Sequence, residues 1–82
     1  MAPMDVRLHT HDGYATDRSV AHYQRIAKGG VGLINLELHV VRADGMGPYF
    51  MDPRITDDSY IPGMKKIADA IHAEGVVCQV EL

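Results

Sequence analysis

Two stretches hold side chains whose types and spacing could do chemistry. The first is His9-Thr10-His11. Alternate residues of an extended segment point to one side, and two imidazoles on one side suit zinc. Zinc also needs further protein ligands, and none stands at a useful spacing. The competing reading is a pair of exposed loop histidines beside Asp12. The second stretch is Asn35, Glu37 and His39, which alternate with Ile34, Leu36, Leu38 and Val40. A period of two sends the polar set to one face of a strand and the apolar set to the other. Such a polar face can line an active site, or it can meet solvent. Cys78 lies in the apolar run Val76-Val77-Cys78-Gln79-Val80 and, as the single cysteine, has no internal disulfide partner; it reads as a buried, inert thiol. His72 reads as a helix-end residue. Gly45, Gly47 and Pro48 read as a loop without phosphate-binding character, and Tyr49-Phe50-Met51 as an apolar cluster that packs this loop down.

The elements that must position these groups alternate between strand and helix. Residues 1 to 5 fit the end of a strand, and residues 6 to 15 a loop with Asp12-Gly13 as its turn. Thr16 or Asp17 suits an N-cap. A helix then runs to about Lys28, with Val20, Tyr23, Ile26 and Ala27 at helical spacing, and Gly29-Gly30 ends it in a left-handed cap. Residues 31 to 41 form the clearest strand, and residues 42 to 55 a loop rich in Gly and Pro. A second helix starts at Thr56-Asp57-Asp58, or nearer Tyr60 because Pro62 is tolerated only in a first turn. Its core stripe is Ile61, Met64, Ala68 and Ile71. Gly75 closes it, and residues 76 to 82 form a last strand.

The order is β, α, β, α, β, an α/β segment whose strands pair in parallel through crossovers. A parallel sheet needs both faces covered, so 82 residues of this kind are expected to be part of something larger. Composition agrees with a globular chain, at 46% hydrophobic and 23% charged. A net charge of -3 and the lack of any basic stripe argue against a nucleic-acid surface. No apolar run approaches membrane-spanning length. These absences, with the lone cysteine, suggest a cytoplasmic location.

Several pieces, in order, resemble one family. Met1-Ala2-Pro3-Met4 resembles the end of the first barrel strand of Old Yellow Enzyme-type flavoproteins. Asp12-Gly13, Thr16, His22-Tyr23 and the run from Arg25 to Ile34 resemble the first helix and second strand, and Glu37 fits as well. The stretch from Asp57-Asp58 through Ile61-Pro62-Gly63-Met64 to Gly75 resembles the second helix, and Gln79 the glutamine that ends the third strand. The resemblance covers nearly the whole chain.

It implies the first part of a (β/α)8 TIM barrel with FMN at the C-terminal mouth. It also implies NAD(P)H as reductant and an activated carbon–carbon double bond in a small-molecule substrate. Long members of the family add an iron–sulfur cluster, FAD and further domains. Ala2, Pro3 and Met4 would lie against the flavin, and the Gln79 amide would pair with its pyrimidine edge. Asp5 stands where the family has Thr, Cys or another small residue, and Leu38 where a small residue packs near the flavin. Arg7 stands near a substrate-facing position. The family's substrate-binding His pair, phosphate loops and proton donor come later in the chain. Residues 1 to 82 are therefore expected to form a partial barrel segment, with no complete domain, and to be inactive alone. Two alternatives remain: a truncated chain that self-associates through its strand edges into a homo-oligomer, and a metal-dependent hydrolase segment using His9 and His11.

Overall fold

The structure, a computed structural model, describes residues 1–42 and 52–82; the loop glycines and the Tyr49-Phe50-Met51 cluster lie outside the described residues. Helix α1 (Asp17–Lys28) opens on a reciprocal capping box. The Ser19 amide donates to Thr16 Oγ1 at 3.1 Å, and the Thr16 amide donates to Ser19 Oγ at 2.9 Å. At its other end Gly29 stays right-handed, and Gly30 takes the left-handed turn at φ 94°. Strand β1 (Leu33–Leu38) follows. A short 3-10 turn, Asp58–Tyr60, leads into α2 (Ile61–His72), where Pro62 sits in the first turn. There the missing N–H of proline has no helical partner to lose. Gly75, at φ 72°, turns the chain into β2 (Val77–Glu81).

β1 and β2 pair in parallel, with Ile34 opposite Cys78 and Leu36 opposite Val80. Tyr23 and Ala27 of α1, Ile34 and Leu36 of β1, Ile67 and Ile71 of α2, and Val76 make the core. The α2 stripe is rotated from the expected one: Ile67 is buried, whereas Ile61, at the first helical position, is exposed. The first strand of the expected order is represented by Met1 alone. Its nitrogen donates to the Leu33 carbonyl at 2.6 Å, and its carbonyl accepts from the Asn35 amide at 3.0 Å. These two bonds bracket Ile34 in the pattern of a parallel ladder, on the other side of β1 from β2.

The strict alternation of β1 breaks. Its register shifts between Leu36 and Leu38, which stands opposite Glu81. One residue, Glu37, is therefore extra, and a bulge of this kind changes which face the following side chains meet. Asn35 and Leu38 now share the face of Gln79 and Glu81. Glu37 is instead 0% exposed, while Leu38 is 38% exposed. The expectation that Asn35, Glu37 and His39 share a face, opposite Leu38, is corrected accordingly. Cys78 is half-buried rather than buried, with its Sγ 3.7 Å from Nε2 of His72, which is exposed. Among the described residues, no helix is long and apolar enough to cross a membrane.

Candidate functional site

The bulge in β1 places the Glu37 carboxylate beneath the segment that follows Asp5. Tyr23 Oη donates to Glu37 Oε1 at 2.9 Å, and the Val6 amide donates to Oε2 at 3.0 Å. The Arg7 amide also supports the carboxylate. Arg7 has φ 52°, a left-handed conformation that a non-glycine residue adopts only when its surroundings compel it. That conformation turns two consecutive N–H groups toward one anion, as in the nests that hold bound anions elsewhere. Burial pushes the Glu37 carboxyl above its ordinary range, while the bonds from Val6 and Tyr23 pull it back.

Two histidines close the same buried region. His39 Nδ1–H donates to the Glu37 carbonyl at 2.6 Å, which fixes its tautomer. His9 packs edge-on to it with ring centroids 6.1 Å apart, and His9 Nδ1 lies 3.8 Å from Glu37 Oε1, too far for a hydrogen bond. Burial, reinforced by His39, lowers the His9 pKa to about 4, and burial lowers His39 as well. Both rings are thus neutral at pH 7. Burial also raises the Tyr23 phenol, reinforced by the Glu37 charge. This buried cluster ties the segment after Asp5 to α1 and β1.

The residues assigned to the flavin lie on the outside. Ala2, Pro3, Met4, Asp5, Leu38 and Gln79 are all exposed. The Gln79 side-chain amide donates to Asn35 Oδ1 across the open sheet face. Gln79 keeps one N–H and its carbonyl oxygen for a further partner. Asp5, which departs from the family pattern, forms an ion pair at 3.2 Å with Arg7, the residue assigned to the substrate side. The structure does not bring His9 and His11 together: His9 is buried and His11 exposed. Among the described residues, no group of three or more His, Cys, Asp or Glu is placed to hold a metal ion.

Sequence reasoning treated Tyr23 as core and Asn35 as one of three aligned polar groups, and missed both partnerships. A tyrosine on a buried stripe needs a partner for its hydroxyl, and a glutamate inside an apolar strand needs donors. Those two needs were the available signal. A cleft of ≈ 650 Å³ opens between α2 and β2, lined by Leu36, Tyr60, Met64, Ala68 and Val80 among others; of the six flavin-assigned residues only Gln79 borders it.

Residues 1–82 match the model of the NADH:flavin oxidoreductase / NADH oxidase family. An NADPH dehydrogenase of Listeria monocytogenes serotype 4b is 36% identical over 83 aligned residues, which cover 100% of this chain and 24% of that protein. The chain thus spans about a quarter of that relative. A solved 2-naphthoyl-CoA reductase in complex with 2-naphthoyl-CoA superposes on 99% of the chain, and on 12% of its own length, at TM-score 0.93 and 29% identity. The Old Yellow Enzyme of Pichia sp. AKU4542 superposes on 96% of the chain, and on 21% of its own length, at TM-score 0.81 and 28% identity.

Proposed function

Because the chain belongs to the NADH:flavin oxidoreductase / NADH oxidase family and is an α/β segment of its barrel, we propose that it forms one wall of the flavin site in an FMN-dependent NAD(P)H oxidoreductase. The reaction proposed for the whole protein is reduction of an activated carbon–carbon double bond. FMN, when bound, supplies the hydride relay between nicotinamide and substrate. The share of these residues is to bind and orient. Ala2, Pro3 and Met4 offer a small apolar surface to a flat ring. Gln79 offers a donor and an acceptor side by side to the ring's imide edge, and Leu38 packs beside it. Arg7 neutralises Asp5 and reaches toward the substrate.

One observation carries the reading: the Asn35–Gln79 amide pair stands on an exposed sheet face with hydrogen-bonding capacity left over. Apolar residues flank it, and that donor set suits a flavin. The NADPH dehydrogenase name of the Listeria relative supports a nicotinamide reductant, and the naphthoyl-CoA complex supports a small unsaturated substrate.

The test is a graft of residues 1–82 in place of the aligned first stretch of the Listeria enzyme. The chimera is expected to purify with bound flavin and to oxidise NADPH when cyclohexenone is added. Gln79→Leu in the chimera is expected to lower the flavin content. A chimera with native-like circular dichroism but no flavin sinks the proposal. A second reading, in which the 82 residues alone are inactive and self-associate, is supported by the exposed apolar residues Leu33, Leu38 and Val77 on one sheet face.

A further inference from the structure

The segment Ala2–Asp5 leaves β1 at Met1, whose two backbone bonds bracket Ile34, and returns to it at Val6, whose amide binds the Glu37 carboxylate. The four residues between these anchors are exposed. They form an arch with both feet on one strand. The first foot uses backbone groups only and would form with almost any side chains. The second depends on a side chain, because only the Glu37 carboxylate reaches the Val6 amide and draws the Arg7 amide toward it. Tyr23, from α1, fixes the other oxygen of that carboxylate. The bulge at Leu36–Leu38 brings Glu37 to this side of the strand. Left-handed Arg7 completes the fit, and its strain persists because two amides and a buried carboxylate satisfy one another.

We propose that Glu37, oriented by Tyr23, is a positioning residue whose buried carboxylate fixes the conformation of the arch Ala2–Asp5. The value of that arch to catalysis rests on the flavin-wall reading above; the clamp itself does not. A loop held at both ends presents its apolar residues in one place before a ligand arrives, so less ordering entropy opposes binding.

Amide hydrogen exchange on the 82-residue chain tests the clamp without flavin. The Val6 and Arg7 amides are expected to exchange at least about tenfold more slowly than those of Met4 and Asp5. Similar rates at all four positions overturn the proposal. The Val6 and Arg7 amide proton shifts should also follow the titration of the Glu37 carboxyl, with the inflection lost in Glu37→Gln. If no such inflection is seen in the wild type, the carboxylate contact is refuted.

Tyr23→Phe keeps the ring in the core and removes only the hydroxyl. It should speed Val6 and Arg7 exchange while the amides of Ile34 and Leu36 keep their rates; unchanged Val6 protection overturns the orienting role of Tyr23. Flavin separates the two claims. In the grafted enzyme, Tyr23→Phe and Glu37→Gln should weaken FMN binding by about tenfold and shift the bound flavin's visible spectrum. Unchanged affinity and spectrum overturn the positioning role. If the grafted enzyme binds no FMN while the 82-residue chain keeps Val6 and Arg7 protected, the clamp is supported and the flavin-wall reading fails.

Discussion

Burial of two neutral imidazoles beside a carboxylate sets how this chain's stability depends on pH. The His9 pKa falls from its ordinary 6.5 to about 4 on folding. Between those values the unfolded chain binds a proton that the folded chain excludes, so stability drops as pH is lowered from about 6.5 toward 4. His39 acts in the same direction. Glu37 acts in the other: its raised folded pKa adds stability at low pH, which is lost as pH rises from 4.5 through the folded value. The His9 contribution falls in the pH interval from about 6.5 down to about 4. His9→Gln is therefore expected to flatten the acid limb, with the loss between pH 7 and 5 smaller by about 2 kcal/mol, read from urea midpoints at the two pH values. Equal losses in variant and wild type would count against a neutral buried His9. Asp5 and Arg7 make a different case, since their pair is exposed and contributes little to stability. Arg7→Gln should shift the unfolding free energy by less than about 0.5 kcal/mol. In the grafted enzyme it should nevertheless weaken flavin binding, and adding Asp5→Asn should restore it. A double variant no better than Arg7→Gln alone would show that the Asp5 charge is not what Arg7 offsets. Asp5 departs from the family pattern when read singly; its pairing with Arg7 accompanies a left-handed turn at Arg7, which no local sequence signal announces.

Gly13 shows how elements are held by a loop. Its φ is 86°, and a Cβ there would meet the Asp52 carbonyl at 2.8 Å and the Arg54 side chain closer still. The reason is a backbone bond: the Arg54 amide donates to the Gly13 carbonyl at 3.1 Å. The neighbouring Tyr60 hydroxyl donates to the Asp12 carbonyl at 2.8 Å, and Tyr14 stacks on Tyr60 with centroids 4.3 Å apart. Gly13→Ala is expected to destabilise the chain by about 2 kcal/mol or more through strain and crowding combined. A denaturation midpoint equal to wild type would contradict that contact. Helix ends were the most legible part of the sequence, because their signals are local. Thr16 caps α1, glycines end both helices, and Pro62 dates the start of α2. The faces of β1 were not legible. Alternation from Ile34 to Val40 holds only while the register is constant, and the bulge is set by pairing with β2, some forty residues away. Glu37 was noticed as a polar residue in an apolar strand, yet its direction came from Tyr23 and the Val6 amide, both distant in sequence.

At the scale of the molecule, the described helices cover one face of the sheet only. Ile34, Leu36 and Val80 pack toward the helices, while Leu33, Leu38 and Val77 lie open on the other side, Val77 at 61% exposure. Among the described residues β2 pairs only with β1. Parallel strands are stable when both faces are covered, and in a barrel this second face is the interior. The isolated 82 residues are therefore expected to associate with rising concentration, by light scattering after size exclusion. Val77→Lys should shift the population toward monomer, because a charge on that face must be desolvated when two copies meet. The same face carries Leu38 and Gln79, so flavin and a second copy would compete for it. Added FMN should then favour the monomer in the wild type and do so less in Gln79→Leu. Association that ignores both FMN and Val77→Lys would place the contact elsewhere, at the apolar cleft between α2 and β2. A chain monomeric at every concentration would mean that a half-covered parallel pair is self-sufficient here. A monomerising response to FMN would thus mark the face left open by this segment as a ligand wall rather than only an unfinished core.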